Sequence, residues 1–160
     1  MKKQPNHIII QKIQLHIKNN LDLSLLLKDI SIKGLDLSHS RISQFDRPDD
    51  DLTGCNLKGC VIGEEGKITN ISNSILRNCN FSDAQFKGKL WMRHCDARGV
   101  DFRGADLSNA DYRFTDFTGA NLCSVIIRIG SKEGVGAILD DQFMKDLTSQ
   151  WQIEVRKRTQ

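Results

Sequence analysis

The side chains of this chain that could do chemistry are five cysteines, four histidines and a set of regularly spaced aspartates. Cys55, Cys60, Cys79, Cys95 and Cys123 include no CxxC pair and no Cys/His grouping at zinc spacing, so a metal centre is not indicated. His7, His16, His39 and His94 stand alone, with no nucleophile at the spacing a base would need. Asp101, Asp106, Asp111 and Asp116 recur every fifth residue. Carboxylates in pairs can act as general acid and base, so their meaning depends on the element that carries them. Asp49-Asp50-Asp51, with Asp46 close by, is a denser acidic knot that could hold a cation, although a solvated corner is the better reading. No phosphate loop, dinucleotide fingerprint or nucleophile elbow appears. The expectation is a protein that is not an enzyme and uses no cofactor or metal.

The element that must position these residues is a repeat. From Cys95 to Arg128 the chain reads CDARG, VDFRG, ADLSN, ADYRF, TDFTG, ANLCS and VIIRI. Each block opens on a small or β-branched residue, Asp or Asn usually follows, and a large apolar residue comes next. A five-residue period matches neither the 3.6 of a helix nor the 2.0 of a strand. A short internal period instead marks a solenoid, each turn burying its apolar residues against the next. Followed backward, the pattern gives a core ladder of Leu57, Ile62, Leu76, Phe81, Phe86, Phe102, Leu107, Tyr112, Phe117, Leu122 and Ile127. Fainter matches reach back to residue 30.

At Ala105-Asp106-Leu107, Ala110-Asp111-Tyr112 and Ala120-Asn121-Leu122 the chain resembles the pentapeptide-repeat family, whose pattern is A(D/N)LxX. The resemblance implies an all-β solenoid: a right-handed quadrilateral parallel β-helix, with four five-residue faces to a 20-residue coil. The central residue and the small residue two before it would point inward. Coils would stack at the ordinary strand spacing of about 4.8 Å. Cys55, Cys60, Cys79 and Cys95 all occupy the small inward position, which cysteine suits as a small hydrophobe. Cys123, one past a centre, is expected to be exposed. The four recurrent aspartates would lie on successive faces and bond to nearby turn backbone.

The division expected is a strand-like cap or first irregular coil over 1–29, the β-helix over 30–129, and a C-terminal helix cap with a basic tail over 130–160. Ile8/Ile10, Ile13/Leu15 and Leu21/Leu23 alternate as in a strand. Val135, Leu139, Phe143 and Leu147, spaced by four, form a helical stripe. Leu139, Phe143, Met144, Leu147 and Trp151 are candidate cap or dimer contacts, and a homodimer through this end is one expectation. Open coil ends invite edge-to-edge pairing, so both need covering.

Two places break the count. Ile62 to Ile71 spans nine residues where ten are expected, which reads as a one-residue deletion around Gly63-Glu64-Glu65-Gly66 and places Cys60 beneath Cys79. Phe86 to Ala97 spans eleven. An extra residue within Lys87-Gly88-Lys89 puts Leu90 and Met92 inside and Trp91 outside, whereas Trp91 at the centre would drive Lys89 into the core. An exposed Trp91 among Lys87, Lys89 and Arg93 would be an interface anchor. The alternative is a Trp91 buried in a distorted coil.

The charge is +3 over 160 residues, but residues 1–20 hold four lysines and no acid while the repeat is near neutral. No apolar run approaches the roughly 20 residues of a membrane span, nor a secretory core. A cytoplasmic protein is expected, with another protein as partner and neither direct nucleic-acid nor membrane binding. Three functions follow. The first is a non-catalytic interaction scaffold. The second, implied by the family, is a duplex-DNA mimic protecting DNA gyrase, which the missing acidic stripe disfavours. The third is a targeting or effector module, hinted at by the basic ends.

Overall fold

The structure, a computed structural model, describes residues 2–127 together with 137 and 138. Blocks of five residues form the sides of square coils, and the coils stack with their strands parallel. On one side Asp36, Asn56, Asn80, Asp101 and Asn121 are bridged in succession; this is the Asn56 side. The Val61 side runs through Asp22, Arg41, Val61 and Gln85, with Asp106 bridged to Ile126 further along. The Trp91 side carries Asn70, Trp91 and Asp111. The Asp96 side carries Asp51, Ile75, Asp96, Asp116 and Ile138. Where pairing is longest it forms a parallel sheet, ordered β1 (Arg41–Ile42), β2 (Val61–Asn70), β3 (Gln85–Trp91) and β4 (Ala110–Asp111).

Each side admits one large and one small inward residue, and that constraint produces the five-residue pattern. Leu57, Ile62, Leu76, Phe81, Phe102, Leu107, Tyr112, Phe117 and Leu122 are buried, while Phe86 and Ile127 are partly buried against the same core. The Phe81 and Phe102 rings stack with centroids 5.1 Å apart, and Phe117 meets Phe102 edge-on at 6.2 Å. Such contacts add to the stabilisation from burial alone.

The small position does more than make room. The Cys79 thiol donates to the Leu52 carbonyl at 2.9 Å, Cys95 to Ile71 at 3.0 Å, and the Ser74 hydroxyl to Arg47 at 2.7 Å. A Cys, Ser or Thr there gives a second partner to carbonyls that already close the turns of the preceding coil, as Leu52 O does for Cys55 N. Burial pushes the Cys55 and Cys60 thiols up, and takes Cys79 and Cys95 to about 12.

The recurrent aspartates act on the turns. Ser108 N–H donates to Asp106 at 2.8 Å, Thr118 N–H to Asp116 at 2.9 Å, Arg103 N–H to Asp101 at 3.0 Å and Arg113 N–H to Asp111 at 3.4 Å. Several carboxyls consequently lie below the usual range. Hydrogen bonds from the Arg98 side chain, then Arg77, hold Asp96 far below it. The Ser38 N–H lowers Asp36, and the Arg103 side chain lowers Asp101. At Asp111 burial pulls upward but the Arg113 and Arg93 hydrogen bonds outweigh it. A folded pKa below the unfolded one means that folding releases protons. The stability these groups supply is therefore complete above the ordinary carboxylate range and is lost as pH falls from about 4 through their lower folded values. Thermal midpoints measured from pH 6 down to pH 2 should fall in that window, and Asp96→Asn should shallow the fall. A midpoint that stays level there would contradict the role given to these carboxylates.

Two sequence expectations change. Residues His7–Lys18 form helix α1, not a strand-like segment. Asn6 caps it by accepting the Ile9 N–H at 3.0 Å, and Ile9, Ile13 and Ile17 face the first coil at intervals of four. The alternation of Ile8/Ile10 and Ile13/Leu15 concealed that stripe. A short helix α2 (Ser24–Leu27) follows. The irregularity after Ile62 is not a one-residue deletion across two sides but a four-residue insertion within one: Gly63 pairs with Lys87, and pairing resumes at Ile68 with Lys89. Asn80 consequently lies over Asn56, not over Val61, so the cysteines that stack are Cys55 and Cys79, and Cys60 lies over Ser40, 3.3 Å away. The expected C-terminal helix and its contacts Leu139, Phe143, Met144, Leu147 and Trp151 lie outside the described residues.

On the Trp91 side an arginine is buried beneath the end of α2. Arg47 occupies on the Trp91 side the inward position that Ile71, Met92 and Tyr112 fill in later coils, as the matching bonds Arg47 N to Asn70 O and Met92 N to Asp111 O show. It is 3% exposed. Its guanidinium donates to Asp50 Oδ2 at 2.5 Å, to the Ile30 carbonyl at 3.0 Å and to the Leu27 carbonyl at the end of α2. Lys2 reaches the same Asp50 oxygen at 2.8 Å.

Candidate interaction face

Both irregularities lie at the corner between the Val61 and Trp91 sides. In β2 the four extra residues Glu64–Lys67 leave the ladder, and in β3 a single residue, Gly88, sits opposite them. Gly88 has φ +80°, and a Cβ there would run into the carbonyl oxygens of Glu64 and Lys67. It is the residue over which the loop leaves and returns. Glu64 and Lys67 close the loop with an ion pair at 2.5 Å.

The loop forms one wall of an open groove of about 370 Å³. Phe45, Asp46, Ile68, Thr69 and Trp91 line it as well. Leu90 and Met92 are buried and Trp91 is half-buried, its indole outside the core. The Arg93 guanidinium lies over that ring, 4.9 Å from its centroid. Asp111 in the next coil fixes it, accepting Arg93 Nε at 2.6 Å and Arg113 Nη2 at 2.8 Å. On the adjoining corner the rings of His94 and Phe114 stack 4.8 Å apart, with Phe114 half exposed. Of the residues singled out from sequence, Trp91 and Arg93 thus touch, Lys89 is exposed beside Ile68 and Lys87 is half-buried against Gly63.

Sequence reasoning missed Phe45, Ile68 and the His94–Phe114 stack. The signal for the loop in the sequence is the pair of glycines, Gly63 and Gly66, around Glu64-Glu65. The face offers an indole, two guanidiniums held by one carboxylate, and a cleft where Phe45 and Ile68 lie among polar residues. No group of three or more His, Cys, Asp or Glu side chains suited to a metal occurs among the described residues. The acidic knot is closed by cations, with Asp50 on Arg47 and Lys2, and Asp51 on Lys33 at 2.6 Å. Cys123 is exposed and the other four cysteines are buried.

The bridge-position ladders are not continuously acidic. On the Asn56 side Asn56, Asn80 and Asn121 interrupt the aspartates, and Asp101 there is paired with Arg103 at 2.6 Å. On the Asp96 side Ile75 interrupts the aspartates, and Asp96 is paired with Arg77 and Arg98.

Against this geometry the sequence profile of the family described as Pentapeptide repeats (8 copies) matches residues 92–122. Residues 92–122 thus carry pentapeptide repeats, within a chain built as a parallel β-solenoid. No curated protein matches it in sequence. Among solved structures, two trypsin-treated variants of QnrB1, a plasmid-mediated fluoroquinolone resistance protein, are similar to it. One is 17% identical over 86% of each chain with a TM-score of 0.32. The other is 21% identical over 78% of this chain and 91% of that one, with a TM-score of 0.26. Likeness at that level carries no functional argument. No helix among the described residues is long and apolar enough to cross a membrane.

Proposed function

We propose that the protein is a non-catalytic docking scaffold whose partner, another protein, binds the Trp91 side. The observation that supports this reading is convergence: the four-residue insertion, the one-residue insertion at Gly88 and the half-buried Trp91 all meet at one groove. Elsewhere the coil is regular, so its stiffness serves to hold that groove in a fixed shape. Preorganisation lowers the cost of ordering a binding surface. Here Asp111 and the Trp91 ring fix Arg93 before any partner arrives. A tryptophan flanked by an oriented arginine has the composition of a binding hot spot. Duplex mimicry receives no support from the ladders, whose aspartates are interrupted or paired with arginine.

The test is site-specific photocrosslinking in the native cell. A benzophenone side chain at position 91 should give one discrete adduct. The same side chain at Lys58, on the opposite Asn56 side, should give none. Arg93→Ala should abolish the adduct while leaving the melting temperature within a few degrees of wild type, since Arg93 is part-exposed and Asp111 keeps Arg113. Equal adducts from both positions, or none from position 91, would remove the assignment.

A further inference from the structure

A helix that only seals a coil end needs one apolar face, turned inward. In α1 that face is Ile9, Ile13 and Ile17. The opposite face is apolar as well. Ile8 is 61% exposed and Leu15, seven residues on and therefore on the same line of the helix, is 55% exposed. Leu21, just past the helix, is 49% exposed. Five of the ten exposed large hydrophobic residues among those described (Ile8, Ile10, Leu15, Leu21 and Leu25) fall within residues 8–25. Burial in the coil explains none of them.

Charge identifies what would cover this surface. Lys12 follows Ile8 by four positions and Lys18 follows Leu15 by three, so both ammonium groups flank the exposed stripe. No acidic residue precedes Asp22, and Asp22 spends its oxygens on the N–H groups of Ser24 and Ser43. Among the described residues neither Lys12 nor Lys18 has a carboxylate partner. The helix is thus apolar along its outer line, basic on both flanks and without acid. That is the composition of a helix lying in the interface of an anionic bilayer, its aliphatic side chains among the acyl boundary and its lysines at the headgroups. A second copy is the poorer occupant, because two such ends would bring unpaired lysines face to face.

We infer that the N-terminal end of the solenoid docks on an anionic membrane surface through Ile8, Leu15 and Leu21, with Lys12 and Lys18 contacting lipid phosphate or carboxylate. This departs from the sequence expectation that a membrane is not a partner. It is independent of the Trp91 side, and the two would together tether a partner to a surface.

Flotation with vesicles tests it on the full chain. The protein should rise with phosphatidylcholine vesicles containing about 30% phosphatidylserine and stay behind with phosphatidylcholine alone, with recovery falling as salt is raised. Ile8→Gln with Leu15→Gln should abolish flotation without moving the melting temperature, because both side chains already face water. Lys12→Glu with Lys18→Glu should weaken binding by at least about 25-fold, roughly fivefold for each lysine removed. Trp91→Ala should float as wild type does. Equal recovery with neutral vesicles, no flotation at low salt, or a dimer in sedimentation that the glutamine pair dissolves while flotation persists would each overturn the inference.

Discussion

Replacing Arg47 with methionine should destabilise the fold by about 3 to 5 kcal/mol, the cost usual for removing one member of a buried ion pair. For a chain of 160 residues that is a fall of roughly 10 °C in melting temperature. The reason lies in what the guanidinium leaves behind. Asp50 keeps Lys2 as its one cation beside the Asp51 N–H, and the buried carbonyls of Leu27 and Ile30 lose a donor. Methionine fills much of the volume but supplies no N–H, so the loss is of hydrogen bonding and charge balance more than of packing. A second change separates these. Asp50→Asn in the Arg47→Met background should recover a measurable part of the loss, because the uncompensated carboxylate is gone. A drop below about 1 kcal/mol for Arg47→Met would mean that the arginine is solvated and does not tie α2 to the first coil.

Gly88→Ala should be the next most damaging single change, at about 3 kcal/mol or more. Strained backbone at positive φ contributes about 1 to 2 kcal/mol for an L-residue. The larger part comes from overlap of the new methyl with the Glu64 and Lys67 carbonyls, both backbone atoms that cannot swing aside. Excising Glu64–Lys67 removes those oxygens. In that shortened chain Gly88→Ala should cost only the strain, about 1 to 2 kcal/mol. Chemical denaturation of the four proteins measures the coupling directly. An equal cost in both backgrounds would mean that the loop does not pass over Gly88.

These two residues mark where the sequence was and was not legible. The core was readable because a square coil admits one large and one small side chain per side, and Phe81, Phe102, Leu107 and Phe117 obey that rule in order. The turn role of the aspartates was readable for the same reason, since each precedes a buried centre. Counting modulo five, however, cannot distinguish ten minus one from five plus four. The nine residues from Ile62 to Ile71 satisfy both, and both keep the same downstream residues inward while assigning them to different sides. The choice rests on Gly63, Gly66 and Gly88, whose backbone conformations are not encoded in a hydrophobic period. Arg47 was opaque because an inward arginine violates the pattern, and its partners Leu27 and Ile30 come from a part of the chain with no repeat. In α1 three consecutive isoleucines suit a period of two or of 3.6 equally well, so the Asn6 cap was the better guide.

The central claim is that the insertion lies within one side, which brings the loop, Gly88 and Trp91 to a single groove. The most direct measurement is thiol crosslinking with dibromobimane, which fluoresces only when it bridges two nearby sulfurs, in a Cys123→Ser background. Asn56 and Asn80 are bridged neighbours here, so Asn56→Cys with Asn80→Cys should become fluorescent, and Val61→Cys with Asn80→Cys should not. Fluorescence from the second pair and not the first would mean that the coil contains a one-residue deletion, and the groove beside Trp91 would not exist.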